Sequence, residues 1–375
     1  QDIEFIPGGG FVPRDTESKG TYAFVSLGCP KNLVDSEKML GHLAIDGYSL
    51  VTEPDGADFV IVNTCGFIDK AKQESIDTIL KHAKEKEDGI IKKLYVTGCL
   101  SERYKDDLKT DIPEVDGFYG TRDLPELLKK FEAKYRNELL GDRIITTDSH
   151  YAYLKISEGC DRPCSFCAIP LMRGRHVSKP IDQIILEAKN LVRNGVREIM
   201  LIAQDSTYYG IDIYKKRAMS ELLKKLSDVE GLDWIRIHYA YPAGFPMDII
   251  EVMRERDNIC NYLDIPLQHG STNMLKIMKR GITREKTDEL IKNIRDINPE
   301  IALRTTLIAG HPGETERDFQ EMYDFVERSQ FDRLGIFTYS HEEGTSAHKL
   351  EDDVPEQVKR SRSNKIMALQ QKIST

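Results

Sequence analysis

The stretch Gly159-Cys160-Asp161-Arg162-Pro163-Cys164-Ser165-Phe166-Cys167 constrains this chain more than any other. Three thiols in so short a loop, directly after an alternating apolar run at 151–157 that reads as a strand, wrap around one metal centre. A closed structural zinc site or a fully protein-ligated cluster takes four protein ligands, so three thiolates suit a four-iron cluster that keeps one iron open to substrate. A zinc loop with a distant fourth ligand is the alternative that Cys-x2-Cys spacing allows. A disulfide framework fits poorly, because seven cysteines is an odd number and nothing else in the chain looks secreted.

The 375 residues suffice for two domains, and a hydrophobic content of 40% supports ordinary packed cores. No uninterrupted apolar run approaches the length of a membrane span, and no basic region followed by an apolar core marks a secretory signal. Reduced cysteines in a cytoplasmic setting are therefore expected, with no membrane partner. The formal charge of −9, from 62 acidic and 53 basic residues, sets the global field against a polyanion and tilts the choice of macromolecular partner toward a basic protein.

Residues 1–19, with the run Gly8-Gly9-Gly10 and two prolines, read as a flexible lead-in. Over residues 20–140 short apolar runs (22–27, 59–62 and 94–97) alternate with longer amphipathic ones, the first of which carries Leu33, Leu40, Leu43 and Ala44 on one face. This alternation predicts an α/β domain with a doubly wound parallel sheet. Each run ends at a cysteine beside a glycine: Gly28-Cys29, Cys65-Gly66 and Gly98-Cys99. Ligands bind at the carboxyl edge of open parallel sheets, so the three thiols can converge on a second metal site. Three unrelated core cysteines are the other reading of the same positions. Nearby Asn32, Asp35, Ser36, Asn63 and Thr64 read first as helix caps. The charged stretch 124–137, with Lys129, Lys130, Lys134 and Arg136, reads as a solvated face, and the domain boundary is set at Gly141.

Residues 141–375 again alternate strand and helix. Six units, starting with the cysteine strand and a helix that opens near Pro180, predict an incomplete (βα)6 barrel with its chemistry at the carboxyl ends of the strands. Those ends are polar or glycine-rich. Gln204 and Gln268 can bond polar atoms of a cofactor, and Gly310 lets one lie against backbone amides. His269 and His311 read as loop histidines. Arg173 and Arg175 read as neutralising a cluster and cofactor carboxylate, or as surface arginines. Arg304, inside the apolar fifth strand, demands a partner, and a cofactor carboxylate would serve. Cys260 reads as a structural thiol beside the fourth strand, and no residue is assigned as general acid or base.

Cys-x3-Cys-x2-Cys with Phe166 before the last cysteine resembles the signature of the radical S-adenosylmethionine (SAM) enzymes. Together with Leu27-Gly28-Cys29-Pro30-Lys31-Asn32, Asp35-Ser36-Glu37, Asn63-Thr64-Cys65-Gly66 and Thr97-Gly98-Cys99, the chain from about residue 20 onward resembles the methylthiotransferases, a radical SAM family with an additional N-terminal cluster domain. The residues around the loop cysteines look most like the branch that modifies an aspartate of small-subunit ribosomal protein twelve. The resemblance implies SAM and two 4Fe-4S clusters. Cys160, Cys164 and Cys167 would hold the SAM-cleaving cluster with Phe166 against the adenine, and an electron from an external donor would yield a radical able to abstract hydrogen from an unactivated carbon. Cys29, Cys65 and Cys99 would hold the auxiliary cluster that carries the transferred sulfur, and a second SAM would supply the methyl. Members of the family normally end in a small β-barrel, TRAM, which this chain is expected to lack after the helical stretch 354–372. A tRNA adenosine methylthiotransferase, with nucleic acid as substrate, and a zinc-binding interaction protein are the alternatives.

Overall fold

The computed structural model describes residues 3–6, 10–13, 18–133 and 143–374. Its contacts divide the chain into one unit of Gln1–Ser149 with Leu171–Arg173, and another of His150–Pro170 with Gly174–Thr375.

In the first unit five parallel strands stand in the order Tyr48–Leu50, Gly20–Ser26, Phe59–Thr64, Leu94–Gly98 and Gly117–Phe118. The two strands Phe59–Thr64 and Leu94–Gly98 are buried along their whole length, as their near-continuous apolar sequence requires of a parallel sheet covered on both faces. One face packs Tyr22, Phe59 and Tyr95 against Leu40, Leu43 and Phe131, with the Phe59 and Phe131 rings stacked 4.2 Å apart. The other packs Val60, Val62 and Val96 against Ile79, Ala83, Leu100 and Leu108. Strand order reverses between Gly20–Ser26 and Phe59–Thr64, and ligands of such sheets sit in the crevice at that reversal.

Two expectations change. Ile3–Ile6 and Gly10–Pro13 pair as an antiparallel hairpin, so part of the N-terminal lead-in is ordered; the Pro-Gly-Gly sequence between two short apolar strands is the signal that its glycine content masked. The first unit also runs to Ser149 instead of ending before Gly141. The cause is Glu37, buried in the helix Pro30–Ile45, whose carboxylate meets Arg143 at 3.3 Å and accepts from the Thr146 backbone at 2.9 Å. Lys129 and Lys130 are exposed, whereas Lys134, Arg136 and Gly141 lie outside the described residues.

The second unit is a six-stranded parallel sheet in simple chain order: Tyr151–Lys155, Glu198–Ile202, Trp234–Ile237, Ile259–Asp264, Ala302–Ala309 and Arg333–Thr338. This is the incomplete barrel that the sequence pattern predicts. Ala152, Leu154, Ile199, Leu201, Ile235 and Ile237 are buried, while Tyr153, Met200 and Arg236, which share the opposite face through the strand register, stay half-buried. That face is therefore lined rather than filled, unlike a closed barrel core. Outside, the helix Ile181–Arg193 buries Ile181, Ile184, Ala188 and Leu191 at helical spacing. Cys260 lies within the fourth strand, half-buried, and burial pushes its thiol up.

The helix Glu356–Ile373 is tied to the strand-end loops by one buried ionic group. Arg362 Nη1 donates to Glu314 Oε1 at 2.8 Å, and Glu314 Oε2 lies 3.1 Å from His269 Nε2, with both the Glu314 and His269 side chains fully buried. His269 Nδ1 accepts from the Ser271 backbone, so its proton sits on Nε2 and is donated to Glu314. Removing one member leaves a buried charge without its partner. Arg362→Ala is expected to lower stability by about 3–5 kcal/mol, read as a fall in the urea midpoint.

Candidate functional site

Cys29, Cys65 and Cys99 follow the carboxyl ends of three adjacent strands of the first unit. Cys29 pushes the thiols of Cys65 and Cys99 up, and Cys65 that of Cys99, so the three lie near one another; burial, the larger cause, pushes Cys65 up and Cys99 to about 12. Asn32 organises the group. Its amide nitrogen donates to Leu27 O at 2.9 Å and to Thr64 O at 2.8 Å, joining two strand ends, while its oxygen accepts from Cys99 Sγ at 3.6 Å and from the Arg173 guanidinium. Asn63 in turn donates to Asn32 O and to Ser36 Oγ, and Thr64 Oγ1 donates to Thr97 O. These polar residues clamp strand ends together and do not cap a helix, since the helix that starts after Cys29 has no side-chain cap. Gly98 is required for this closeness. At φ +98°, a Cβ would lie 2.3 Å from Asn63 Oδ1 and 2.5 Å from Thr64 O, and Gly98→Ala is expected to lower the urea midpoint by an amount equivalent to about 3 kcal/mol.

Arg173 belongs to this group. It is buried, its Nη1 donates to Asp35 Oδ2 at 2.6 Å, and its carbonyl accepts from Arg122 at 2.7 Å. Arg175 is exposed and takes the surface reading.

In the second unit the loop Cys160 to Cys167 is held by backbone from distant segments. Cys160 N donates to Gly174 O at 3.0 Å, Ser165 N to Met278 O at 3.0 Å, and Ala347 N to Ser165 O at 2.8 Å. Burial pushes the Cys160 thiol up to about 11 and Cys167 to about 12, and the neighbouring thiols push the same way. Thiols so placed stay protonated until a metal displaces the proton. No three His, Cys, Asp or Glu side chains among the described residues converge closely enough for a single ion, whereas in a cubane each thiolate binds its own iron. Three thiols at one strand-end edge are the donor set that a cluster with one open iron takes.

Arg162 and Arg280 were not singled out from the sequence. Arg162 Nε donates to Asp205 Oδ2 at 2.7 Å, and its guanidinium stacks 4.1 Å from the Tyr241 ring centroid. Arg280 covers Tyr241 at 4.3 Å, donating to Cys164 Sγ at 3.0 Å and Pro266 O at 2.6 Å. Burial pushes Tyr241 up to about 12, and its hydroxyl donates to Arg280 O. Only spatial proximity reveals these two arginines, because nothing in their sequence neighbourhoods marks a ligand.

The cofactor residues read from the sequence come out unevenly. Phe166 packs with Met274, Met278, Ile308 and Tyr339, edge-on to His311 at 6.5 Å. Gln204 Nε2 donates to Glu158 Oε1 at 2.8 Å. Gln204 Oε1, Arg162 Nη2, Arg280 Nε and His238 Nε2 are buried without a hydrogen-bond partner among the described residues. A ligand bearing amino, carboxylate and hydroxyl groups would satisfy such atoms, so this end of the sheet fits SAM. Gln268 adopts φ +77° and Tyr239 φ +63° at the ends of neighbouring strands, a strain of about 1–3 kcal/mol each that clusters at ligand sites.

Arg304 finds the partner it demands within the protein. Its side chain is 36% exposed, and it already has a partner in Asp264, its register neighbour on the fourth strand, at 2.6 Å. At Gly310 the Lys359 stem approaches closely, and a Cβ there would collide with it. His269 and His311 lie in loops, as read, and are fully buried there. Burial holds His311 below its ordinary value, and the neutral ring faces Ser165 Oγ at 3.2 Å.

Residues 21–120 match a family described as Uncharacterized protein family UPF0004, and residues 154–326 match the Radical SAM superfamily. A protein of Cytophaga hutchinsonii named ribosomal protein uS12 methylthiotransferase RimO is 60% identical over 93% of this chain and 80% of its own length. Its namesake from Flavobacterium psychrophilum is 58% identical over 93% of this chain and 81% of its own length. Among solved structures, the radical SAM methyltransferase TsrM of Kitasatospora setae, with cobalamin and a 4Fe-4S cluster bound, superposes with a TM-score of 0.60 at 14% identity, covering 86% of this chain and 75% of that one. The last likeness concerns the fold alone. Among the described residues no helix is long and apolar enough to cross a membrane.

Proposed function

Since the chain belongs to the RimO family of ribosomal protein uS12 methylthiotransferases, radical SAM enzymes that use an iron–sulfur cluster and SAM, we propose that it inserts a methylthio group at an unactivated carbon of an aspartate side chain in uS12, using two 4Fe-4S clusters. The observation that carries the two-cluster reading is the pair of three-cysteine groups, each at the carboxyl edge of its own parallel sheet. When bound, SAM and its cluster supply a carbon radical strong enough to take hydrogen from an unactivated C–H, and the auxiliary cluster supplies sulfur.

The chain's own part is binding, orientation and exclusion of water. Cys160, Cys164 and Cys167 would each ligate one iron and leave a fourth for the SAM amino and carboxylate groups. Gln204 Oε1 would accept from the amino group and Arg162 Nη2 would donate to the carboxylate, which gives two orphaned buried atoms their partners. Phe166 and its apolar neighbours would shelter the adenine, and Gln268 would meet SAM through its strained strand end. Cys29, Cys65 and Cys99 would hold the auxiliary cluster, with Asn32 fixing the two strand ends that carry it. An external one-electron donor completes the reaction, and the cytoplasm, where uS12 is made, is the setting.

The acidic balance of −9 supports a basic protein as substrate. The test is to incubate the anaerobically reconstituted chain with SAM and a reductant on uS12, and separately on tRNA, and to follow each by mass spectrometry. uS12 is expected to gain the mass of a methylthio group in place of hydrogen, and tRNA is expected not to. Modification of tRNA alone would overturn the choice of substrate.

A further inference from the structure

Arg280 is a cation built for an anion that the polypeptide does not supply. Its side chain is buried, with the residue 4% exposed, at the carboxyl end of the second unit's sheet. The guanidinium is fixed on two sides, Nη2 donating to Pro266 O at 2.6 Å and Cζ lying 4.3 Å from the Tyr241 centroid, and the Tyr241 hydroxyl holds the Arg280 backbone carbonyl at 2.7 Å. Its Nη1 donates to Cys164 Sγ at 3.0 Å, and its Nε has no hydrogen-bond partner among the described residues. No carboxylate among the described residues forms an ion pair with it, although Arg162, also packed on Tyr241, has Asp205. A buried guanidinium without a counter-charge is strongly unfavourable, and a guanidinium packed on an aromatic face and aimed at a thiol sulfur is instead suited to a thiolate-bound anionic cluster.

We propose that Arg280 sets the reduction potential of the cluster held by Cys160, Cys164 and Cys167, through its charge and its N–H···S bond to Cys164. This rests on the reading of that loop as a cluster site. Three thiolates on a doubly positive four-iron core leave the cluster with one negative charge, and uptake of one electron from an external reductant adds a second. A fixed positive charge stabilises the reduced form more than the oxidised one, and a hydrogen bond to a ligating sulfur acts in the same direction by drawing electron density off the iron. Arg280 thus makes the one-electron reduction easier. It acts through Cys164 and is a positioning and tuning residue, with no bond of its own to iron.

The experiment uses the full chain with Cys29, Cys65 and Cys99 changed to Ala, so that one cluster remains, reconstituted and titrated with dithionite while the reduced signal is followed by electron paramagnetic resonance. The midpoint is expected to move to more negative potential in Arg280→Gln, with a smaller move in Arg280→Lys, at an iron content of about four per chain in all three proteins. An unchanged midpoint in fully loaded Arg280→Gln would overturn the proposal while leaving the cluster reading intact. Absence of iron from the parent would overturn the cluster reading itself. Should Arg280→Gln fail to load, the parent grown on arginine labelled with 15N in the guanidino group decides the matter by pulsed resonance. A hyperfine coupling that disappears in Arg280→Lys is expected, and no coupling in the parent sinks the idea.

Discussion

Changing Cys160, Cys164 and Cys167 together to Ala is expected to abolish both formation of 5′-deoxyadenosine and methylthiolation of uS12, and to reduce iron from about eight to about four per chain after anaerobic reconstitution. The effect is expected to be large because, on the proposed reading, the three thiols of this one continuous stretch are the ligands of that centre. SAM cleavage that survived the triple change would show that the electron reaches SAM elsewhere, and the assignment of the loop would fall. Chelation of iron from the wild-type chain gives the same loss without mutation.

The second large effect separates the two halves of the reaction. With Cys29, Cys65 and Cys99 changed to Ala, 5′-deoxyadenosine is expected to form at close to the parental rate while methylthiolated uS12 falls to background. Iron again drops by about half. The reason is spatial. The three residues stand at the ends of adjacent strands of one sheet, and the loop cysteines stand on another sheet with its own supports. Methylthiolated product from this variant would mean that sulfur is delivered from some other source, and the N-terminal group would revert to a set of core cysteines.

The parts of this site that were legible in the sequence are those whose signal is local. The loop cysteines declare themselves by spacing, and the N-terminal ones by recurring beside a glycine at strand ends, where a parallel sheet collects them. The six strands of the barrel were readable from alternation of apolar runs, because each is buried on its outer face. What escaped reading depends on contacts across long separations. Arg280 meets Cys164 from 116 positions away, and Arg173 meets Asp35 from 138. No periodicity encodes either meeting. Arg304 has Asp264 at the same level one parallel strand away, a partner that the order of residues along the chain does not reveal. Gly310 is a related case. A glycine reports that something approaches the backbone, and here that something is Lys359 from the C-terminal helix. The hairpin formed by residues 3–6 and 10–13 was overlooked since its strands are only four residues each.

The supports of the cysteine loop also fix when during synthesis the site can come into being. The loop follows the first strand of its sheet, yet Ser165 is held through Met278 O, the His311 ring and Ala347 N, which emerge from the ribosome 113, 146 and 182 residues later. Until Ala347 has been translated the loop has its local bonds, Cys160 N to Gly174 O and Cys167 N to Cys164 O, without the full set of partners that hold Ser165. A fully supported cysteine loop therefore requires all six strands of the sheet to have been made, since Ala347 follows the last of them, Arg333–Thr338.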